Sequence, residues 1–156
     1  MTISCLQGGQ AIVLLSKETK TNLEIQKILY FANMLYIGGN RNEKPLVENK
    51  FLTWRFGPVV EKLYDHIKER GDERIPLDAF IGLEAVMDGK GNPTKEKYKK
   101  EAEAIYKAYE RFGKYSPYQL VRISHWSKGA WRVAIKRGQK EIDNVLILDE
   151  FDARNQ

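Results

Sequence analysis

The sequence predicts a mainly α-helical protein: a single compact domain of about six helices, with one or two short β-strands inserted as a small hairpin. Several segments repeat apolar residues at helical spacing, whereas one short segment alternates in the way a strand does. No strand–helix–strand rhythm is present, which argues against a doubly wound sheet. Because 156 residues is the usual length of one domain, we expect residues 1–156 to fold as a single unit.

Two helices are expected near the N-terminus. The first is short and covers residues 10–17. The second covers residues 21–37 and begins with a capping box, since Thr21 is followed three residues later by Glu24. The pair Gly38-Gly39 is expected to end it. The apolar stripe of this second helix consists of Ile25, Ile28, Leu29, Ala32, Leu35 and Tyr36.

A short extended segment follows the polar loop at residues 40–50. Residues 51–56 alternate, which predicts a strand. Gly57 then allows a turn, and Pro58 suits the first position of a helix, where its missing N–H is not needed. The side chains predicted to face the core from this strand are Leu52, Trp54 and Phe56.

The second half of the chain is predicted to be helical with short breaks. Ser116-Pro117-Tyr118-Gln119 combines an N-cap serine, a first-turn proline and a glutamine that closes a capping box. The segment NVLIL near the C-terminus fits a helix after Asp143 and also resembles a strand, so both alternatives stay open. The predicted helices cover residues 58–70, 94–112, 116–124, 130–137 and 144–152.

Positive charge is concentrated in one segment. The formal net charge is +5, and residues 111–140 contain eight Lys or Arg residues with no Asp or Glu. Tyr115, Tyr118, Trp126 and Trp131 are interleaved with these cations, a pattern used in stacking on single-stranded nucleic acid. A solvated basic face explains the same pattern, and so does a surface for an acidic protein.

The single cysteine, Cys5, cannot form an internal disulfide, which fits a reducing compartment. The apolar stretch at residues 11–15 is too short for a signal peptide or a membrane span. We therefore expect a cytoplasmic protein without a membrane partner.

No catalytic or metal-binding motif is recognisable. The chain has two histidines, His66 and His125, and neither belongs to a metal-ligand or nucleophile pattern. The sequence also lacks a phosphate-binding glycine loop. We expect no catalytic residues, no metal site and no cofactor, and hence no enzyme. A small enzyme built on scattered carboxylates is the remaining alternative.

Three stretches together resemble the Panacea domain of SocA-like antitoxins. They are NLEIQKILYFANMLYI at 22–37, FLTWRFGPVVEKLYDHI at 51–67 and LVRISHWSKGAW at 120–131. The resemblance extends over about residues 5–152. Two positions depart from the family pattern, because Ile25 replaces the usual Leu and Ala130 replaces the common Pro before Trp131. The family-motif positions that we expect to maintain the fold are Gln26, Tyr30, Phe31, Trp54, Gly57, Pro58 and Trp131.

The resemblance implies an antitoxin that neutralises a cognate protein toxin by direct binding, encoded in a bacterial or prophage toxin–antitoxin locus. It also implies a second possible partner, an ATP-dependent protease to which an adaptor of this family delivers the toxin. The alternative from the residues themselves is a phage-associated nucleic-acid-binding protein that uses residues 111–140, for which we expect weak non-specific binding at most.

Four residues beside the motifs are candidates for partner binding. Lys27 lies off the apolar stripe of its helix, and Arg55 points away from Trp54 across the strand. His125 and Trp126 follow a helix end. Arginine and aromatic side chains tend to dominate interface energies, so Arg55 and Trp126 are expected to matter most. The alternative is that these four residues only connect the motifs within the domain.

Overall fold

The computed structural model describes residues 2–41 and 44–156. Within these residues the chain forms seven α-helices and a two-stranded antiparallel sheet, arranged around one hydrophobic core. The predicted mainly α-helical class with a small hairpin is therefore confirmed. None of the described helices is both long and apolar enough to cross a membrane.

The element bounds follow the chain order. The strands are β1 (Leu52–Trp54) and β2 (Gly57–Val59). Single turns of 3₁₀ helix cover Lys68–Arg70, Leu77–Phe80 and Glu96–Tyr98. The α-helices are α1 (Cys5–Ser16), α2 (Asn22–Asn40), α3 (Glu61–Ile67), α4 (Lys99–Phe112), α5 (Pro117–Ser124), α6 (Ala130–Lys136) and α7 (Asn144–Arg154).

Helix α2 is the centre of the domain and packs against α1, α4 and α7. Its predicted capping box is present. The Glu24 N–H donates to Thr21 Oγ1 at 3.4 Å, and the Thr21 N–H donates to Glu24 Oε1 at 3.0 Å. Because neighbours surround the helix, it is buried on nearly every side, including positions off the predicted apolar stripe.

The prediction that Gly38-Gly39 ends this helix is wrong. Helix α2 continues to Asn40, and Arg41 is the residue with the left-handed conformation, at φ 51°. A Cβ on Gly38 would lie 2.3 Å from the ring of Phe151. The absence of a side chain at Gly38 therefore allows α7 to pack closely against α2.

The placement of Pro58 at the start of a helix is also wrong. Strands β1 and β2 form a tight hairpin, with Thr53 opposite Pro58 and Trp54 opposite Gly57. Gly57 has φ 109°, a value that favours glycine and lets the chain reverse immediately after Arg55 and Phe56. Helix α3 begins only at Glu61.

The inward face predicted for the strand is not the one observed. The side chain of Phe56 is 57% exposed at the tip of the hairpin, whereas Phe51 is 1% exposed and packs edge-on against Tyr30. Leu52 and Trp54 are half-buried. The turn ends the strand before Phe56, so strand alternation does not decide where that ring lies.

Other predictions differ mainly in their boundaries. Helix α1 starts at Cys5 and not at residue 10, because Ser4 and Gln7 form a capping box that we did not predict. The capping box between Ser116 and Gln119 is present. Of the two alternatives left open for the C-terminal segment, the structure has the helix, α7.

Candidate functional site

The first half of α2 is joined to the hairpin by two buried polar side chains. The Gln26 amide bonds both polar backbone groups of Val60: its Oε1 accepts from the Val60 N–H at 3.0 Å, and its Nε2 donates to the Val60 carbonyl at 3.2 Å. Lys27 is the next residue of α2, and its Nζ donates to the carbonyl of Pro58 at 3.0 Å. These bonds hold the second strand and the start of α3 against α2.

The Lys27 side chain is not exposed, although its position off the apolar stripe had suggested that it would be. It is 1% exposed, because α2 is covered by the hairpin on this side. Within the described part of the chain its ammonium has one hydrogen-bond partner and no carboxylate within 4.0 Å. Burial without a counter-ion disfavours the charged form and lowers the pKa of Lys27 to about 7.

Gly57 allows the hairpin to approach α2 and α5 closely. A Cβ at this position would lie 2.4 Å from Ser124 Oγ and 2.9 Å from Lys27 Cε. Real Cβ atoms are not found at such separations from neighbouring atoms. The glycine in the Gly-Pro pair thus serves both the turn and the packing beside the buried lysine.

A cleft of about 700 Å³ lies between the hairpin, the first turn of α2, α3 and the start of α5. We call it the hairpin cleft. The Trp54 and Tyr64 rings meet edge to face within it, 5.0 Å apart. Gln26 and Lys27 lie at its floor, and Arg55 and Asp72 are exposed at its rim. Its apolar walls are formed by Leu23, Trp54, Phe56, Val59, Tyr64 and Pro117.

His125 is not among the residues that line this cleft. It caps the end of α5, where its N–H donates to the Val121 carbonyl at 3.0 Å. The ring is half-buried, and burial lowers its pKa, with smaller contributions from the charges of Arg132 and Lys27. The Arg132 guanidinium in turn donates to the His125 carbonyl at 3.1 Å. His125 is therefore held inside the domain by several contacts.

Trp126 belongs to a second, separate cleft of about 400 Å³, here called the Trp126 cleft. The guanidinium of Arg154 lies 4.6 Å from the centre of the Trp126 indole. Helix α5 separates the two clefts, since Pro117 lines the hairpin cleft whereas Arg122 lines the Trp126 cleft. The Trp126 cleft is lined by Tyr115, Gln119, Arg122, Ile123, Trp126 and Arg154.

The structure thus divides the four candidate partner-binding residues. Lys27 and Arg55 line the same cleft, His125 lines neither cleft, and Trp126 lies in the other cleft. Sequence analysis missed Leu23, Tyr64 and Asp72 as lining residues. Tyr64 falls within the helix predicted over residues 58–70, but nothing in the sequence connects Tyr64 or Asp72 with this site.

Glu150 is a further residue that sequence analysis missed. Its buried carboxylate accepts from the Tyr30 hydroxyl at 2.5 Å, from the Ala130 N–H at 3.0 Å and from Arg154 Nε at 2.7 Å. Burial and the neighbouring carboxylate raise the pKa of Tyr30 well above its usual value. Glu150 therefore joins α7 to α2 and α6, and it explains why a tyrosine stands in the first motif.

No group of three His, Cys, Asp or Glu side chains among residues 2–41 and 44–156 is placed to hold an ion.

The fold defines a small helical domain with an open, mainly apolar cleft beside its hairpin. The chain belongs to the family described as Antitoxin SocA-like, Panacea domain, whose profile matches residues 25–132. It is 31% identical over 122 residues to Antitoxin SocA of Caulobacter vibrioides (strain NA1000 / CB15N). That match covers 72% of this chain and 58% of the length of the relative. No solved structure matches the chain. The family that the three motifs predicted is therefore confirmed.

Proposed function

We propose that this chain is an antitoxin that neutralises a cognate protein toxin by direct binding at the hairpin cleft. The observation that carries the proposal is an open apolar cleft with Arg55 and the 57%-exposed Phe56 on its rim. Exposed aromatic and arginine side chains beside a pocket are the typical anchors of protein interfaces. Membership in a family of SocA-like antitoxins supports a toxin as the partner.

The proposal includes the remaining expectations from the sequence. The chain acts by binding and not by catalysis, it works in the cytoplasm, and its gene belongs to a bacterial or prophage toxin–antitoxin locus. A role as proteolytic adaptor requires a second surface for an ATP-dependent protease. The Trp126 cleft supports this role, because α5 separates it from the hairpin cleft and leaves both open at once.

The second candidate function is nucleic-acid binding at the Trp126 cleft. Arg122 lies there beside Tyr115 and Trp126, and Arg111 lines the adjoining hollow. Cations next to aromatic rings can neutralise phosphates and stack on bases. This candidate uses a different surface from the proposed toxin site, so substitutions can separate the two.

Rescue of growth tests the proposed function. The protein is co-expressed with the product of the small open reading frame adjacent to its gene, which should arrest growth when expressed alone. Arg55→Glu and Phe56→Ala should each abolish rescue while leaving circular dichroism and thermal unfolding close to those of the original protein. Arg137→Glu is the matched control, since Arg137 is exposed and lines neither cleft.

Two outcomes of the rescue experiment would contradict the proposed toxin surface. Rescue that survives both hairpin substitutions would move the toxin surface away from the hairpin cleft. If the Arg137→Glu control also lost rescue, a charge change at any exposed position would have the same effect. The loss of rescue would then not identify the hairpin cleft as the toxin surface.

A further inference from the structure

The floor of the hairpin cleft holds a cation without a counter-ion. Among the described residues, Lys27 Nζ has only the Pro58 carbonyl as a hydrogen-bond partner, although an ammonium can donate three bonds. A buried charge is normally paired, because leaving it unpaired is unfavourable. Lys27 also lines an open cleft, so a ligand can supply the missing acceptor.

The first turn of α2 forms one wall of the hairpin cleft and carries polar groups without hydrogen-bond partners in the described part of the chain. The amide oxygen of Asn22 is buried and has no hydrogen-bond donor among the described residues, and the residue is 6% exposed. The N–H groups of Asn22 and Leu23 open a 19-residue helix and have no intrahelical acceptor. The positive end of such a helix favours an anion.

The acidic groups near the cleft do not neutralise this arrangement. Glu24 is engaged in the α2 capping box and in an ion pair with Lys20, whose Nζ lies 3.7 Å from Glu24 Oε2. Asp72 is exposed at the rim, on the same cleft as the exposed Arg55. Below pH 7, where Lys27 keeps its proton, the floor therefore stays cationic under apolar walls.

Because Lys27 and the apolar walls line one cleft, these features suit a ligand that brings an apolar group and a carboxylate on the same residue. An internal Asp or Glu brings a carboxylate without an apolar group, and an internal Phe or Leu brings the reverse. Only the C-terminal residue of a polypeptide carries both. Capture of a chain terminus is a known mode of peptide recognition.

We propose that the hairpin cleft binds the C-terminal residue of a partner polypeptide. Its apolar side chain packs between Leu23, Trp54 and Tyr64, and its α-carboxylate accepts hydrogen bonds from the Lys27 ammonium. The Asn22 amide oxygen accepts the last peptide N–H of the partner. The inference rests on the proposed function only in naming the toxin as that partner, since the chemistry of the cleft can be tested without it.

Two short peptides that differ in one group test the proposal. N-acetyl-Gly-Phe with a free carboxylate mimics a chain end, whereas N-acetyl-Gly-Phe amide mimics the same residue inside a chain. N-acetyl-aspartate amide supplies a carboxylate without an apolar group. Binding is followed by the indole N–H signals in ¹⁵N-resolved NMR, below pH 7 so that Lys27 keeps its proton.

The free carboxylate should shift the Trp54 signal and bind about tenfold more tightly than the amide, as expected for a hydrogen bond to a charged group. The Trp126 signal, which reports the other cleft, should not move. The proposal would be overturned if the two peptides bound with equal affinity, or if the aspartate probe bound as tightly as the peptide with the free carboxylate. Absence of a shift at Trp54 would also overturn it.

Lys27→Met provides the second arm, with Lys100→Met as the matched control because Lys100 is exposed on α4 and outside the hairpin cleft. Lys27→Met should remove the preference for the free carboxylate and keep the weak binding of the amide. If Lys27→Met fails to fold, the comparison of peptides on the unsubstituted protein still decides. Peptide binding as expected together with intact rescue in the hairpin variants would overturn the proposed function and leave this site standing.

Discussion

The imidazole of His125 lies parallel to the indole of Trp131, with ring centres 3.9 Å apart and planes only 3° from each other. The same indole donates its Nε1–H to the carbonyl of Trp54 at 2.9 Å. The third sequence motif is therefore tied to the second through one side chain, which joins the hairpin to α6.

Replacing Trp131 with Phe should keep most of the ring contact and remove the hydrogen bond to the hairpin. The Trp54 carbonyl would lose its bond from the indole, so the free energy of unfolding should fall by about 1–3 kcal/mol. Urea denaturation followed by circular dichroism measures this change. Trp126→Phe is the control, since no hydrogen bond of the Trp126 indole is present in the described residues and a change below about 1 kcal/mol is expected. Equal losses would mean that the Trp54 bond contributes nothing.

Gly57→Ala should destabilise the protein more than Gly82→Ala. Both glycines have positive φ values, 109° and 91°, so both substitutions strain the backbone. Only at Gly57 would the new methyl group also collide with Ser124 and Lys27, whereas nothing lies within 4 Å at Gly82. We expect a loss of about 1–3 kcal/mol from overpacking beyond the Gly82 value. Thermal unfolding of the two variants checks this, and similar melting temperatures would contradict the packing argument.

Stability should rise with pH between about pH 7 and 9 because of Lys27. Its pKa is lowered to about 7 in the folded protein from 10.5. Above pH 7 the unfolded chain therefore binds more protons at this residue than the folded protein, which makes unfolding less favourable as pH increases. Below pH 7 both states are protonated and Lys27 contributes no slope.

Other titrating groups limit the pH range in which Lys27 dominates the change in stability. His125, whose pKa is lowered from 6.5, acts in the same direction at lower pH. Burial raises the pKa of Cys5 above 9.0, which makes stability fall at higher pH. Urea midpoints at pH 7, 8 and about 9 measure the slope. The slope should disappear in Lys27→Met and persist in Lys100→Met, and a flat profile in the unsubstituted protein would contradict a buried uncompensated lysine.

Any nucleic-acid binding should be weak, independent of sequence and largely lost near physiological salt. Phosphate contacts release counterions, so affinity falls steeply as salt increases. Arg122→Gln should weaken binding to single-stranded DNA and reduce the salt slope, whereas Arg55→Gln should not, because Arg55 lies in the other cleft. Fluorescence anisotropy over a salt series measures both effects. Submicromolar binding to one defined sequence at physiological salt would favour the nucleic-acid function over the antitoxin function.

Much of the helical framework was determined by the sequence alone. The capping boxes at Thr21 and Ser116 were predicted and are present, because their hydrogen bonds join residues three positions apart. The apolar stripe of α2 was also predicted from spacing, whereas the sequence left helix and strand open for the C-terminal segment. The family followed from three motifs whose order and composition are visible in the chain itself.

The site depended on contacts between distant parts of the chain, which only the tertiary structure decided. Lys27 looked exposed because it lies off a helical stripe, but the hairpin covers that side of α2 and buries it. Gly38 looked like a helix end until Phe151 was found against it. Glu150 stands 120 positions from Tyr30 and could not be paired with it in advance. Capping hydrogen bonds and helical periodicity involve residues that are close in sequence. Burial depends instead on which element, distant in sequence, packs against a given face.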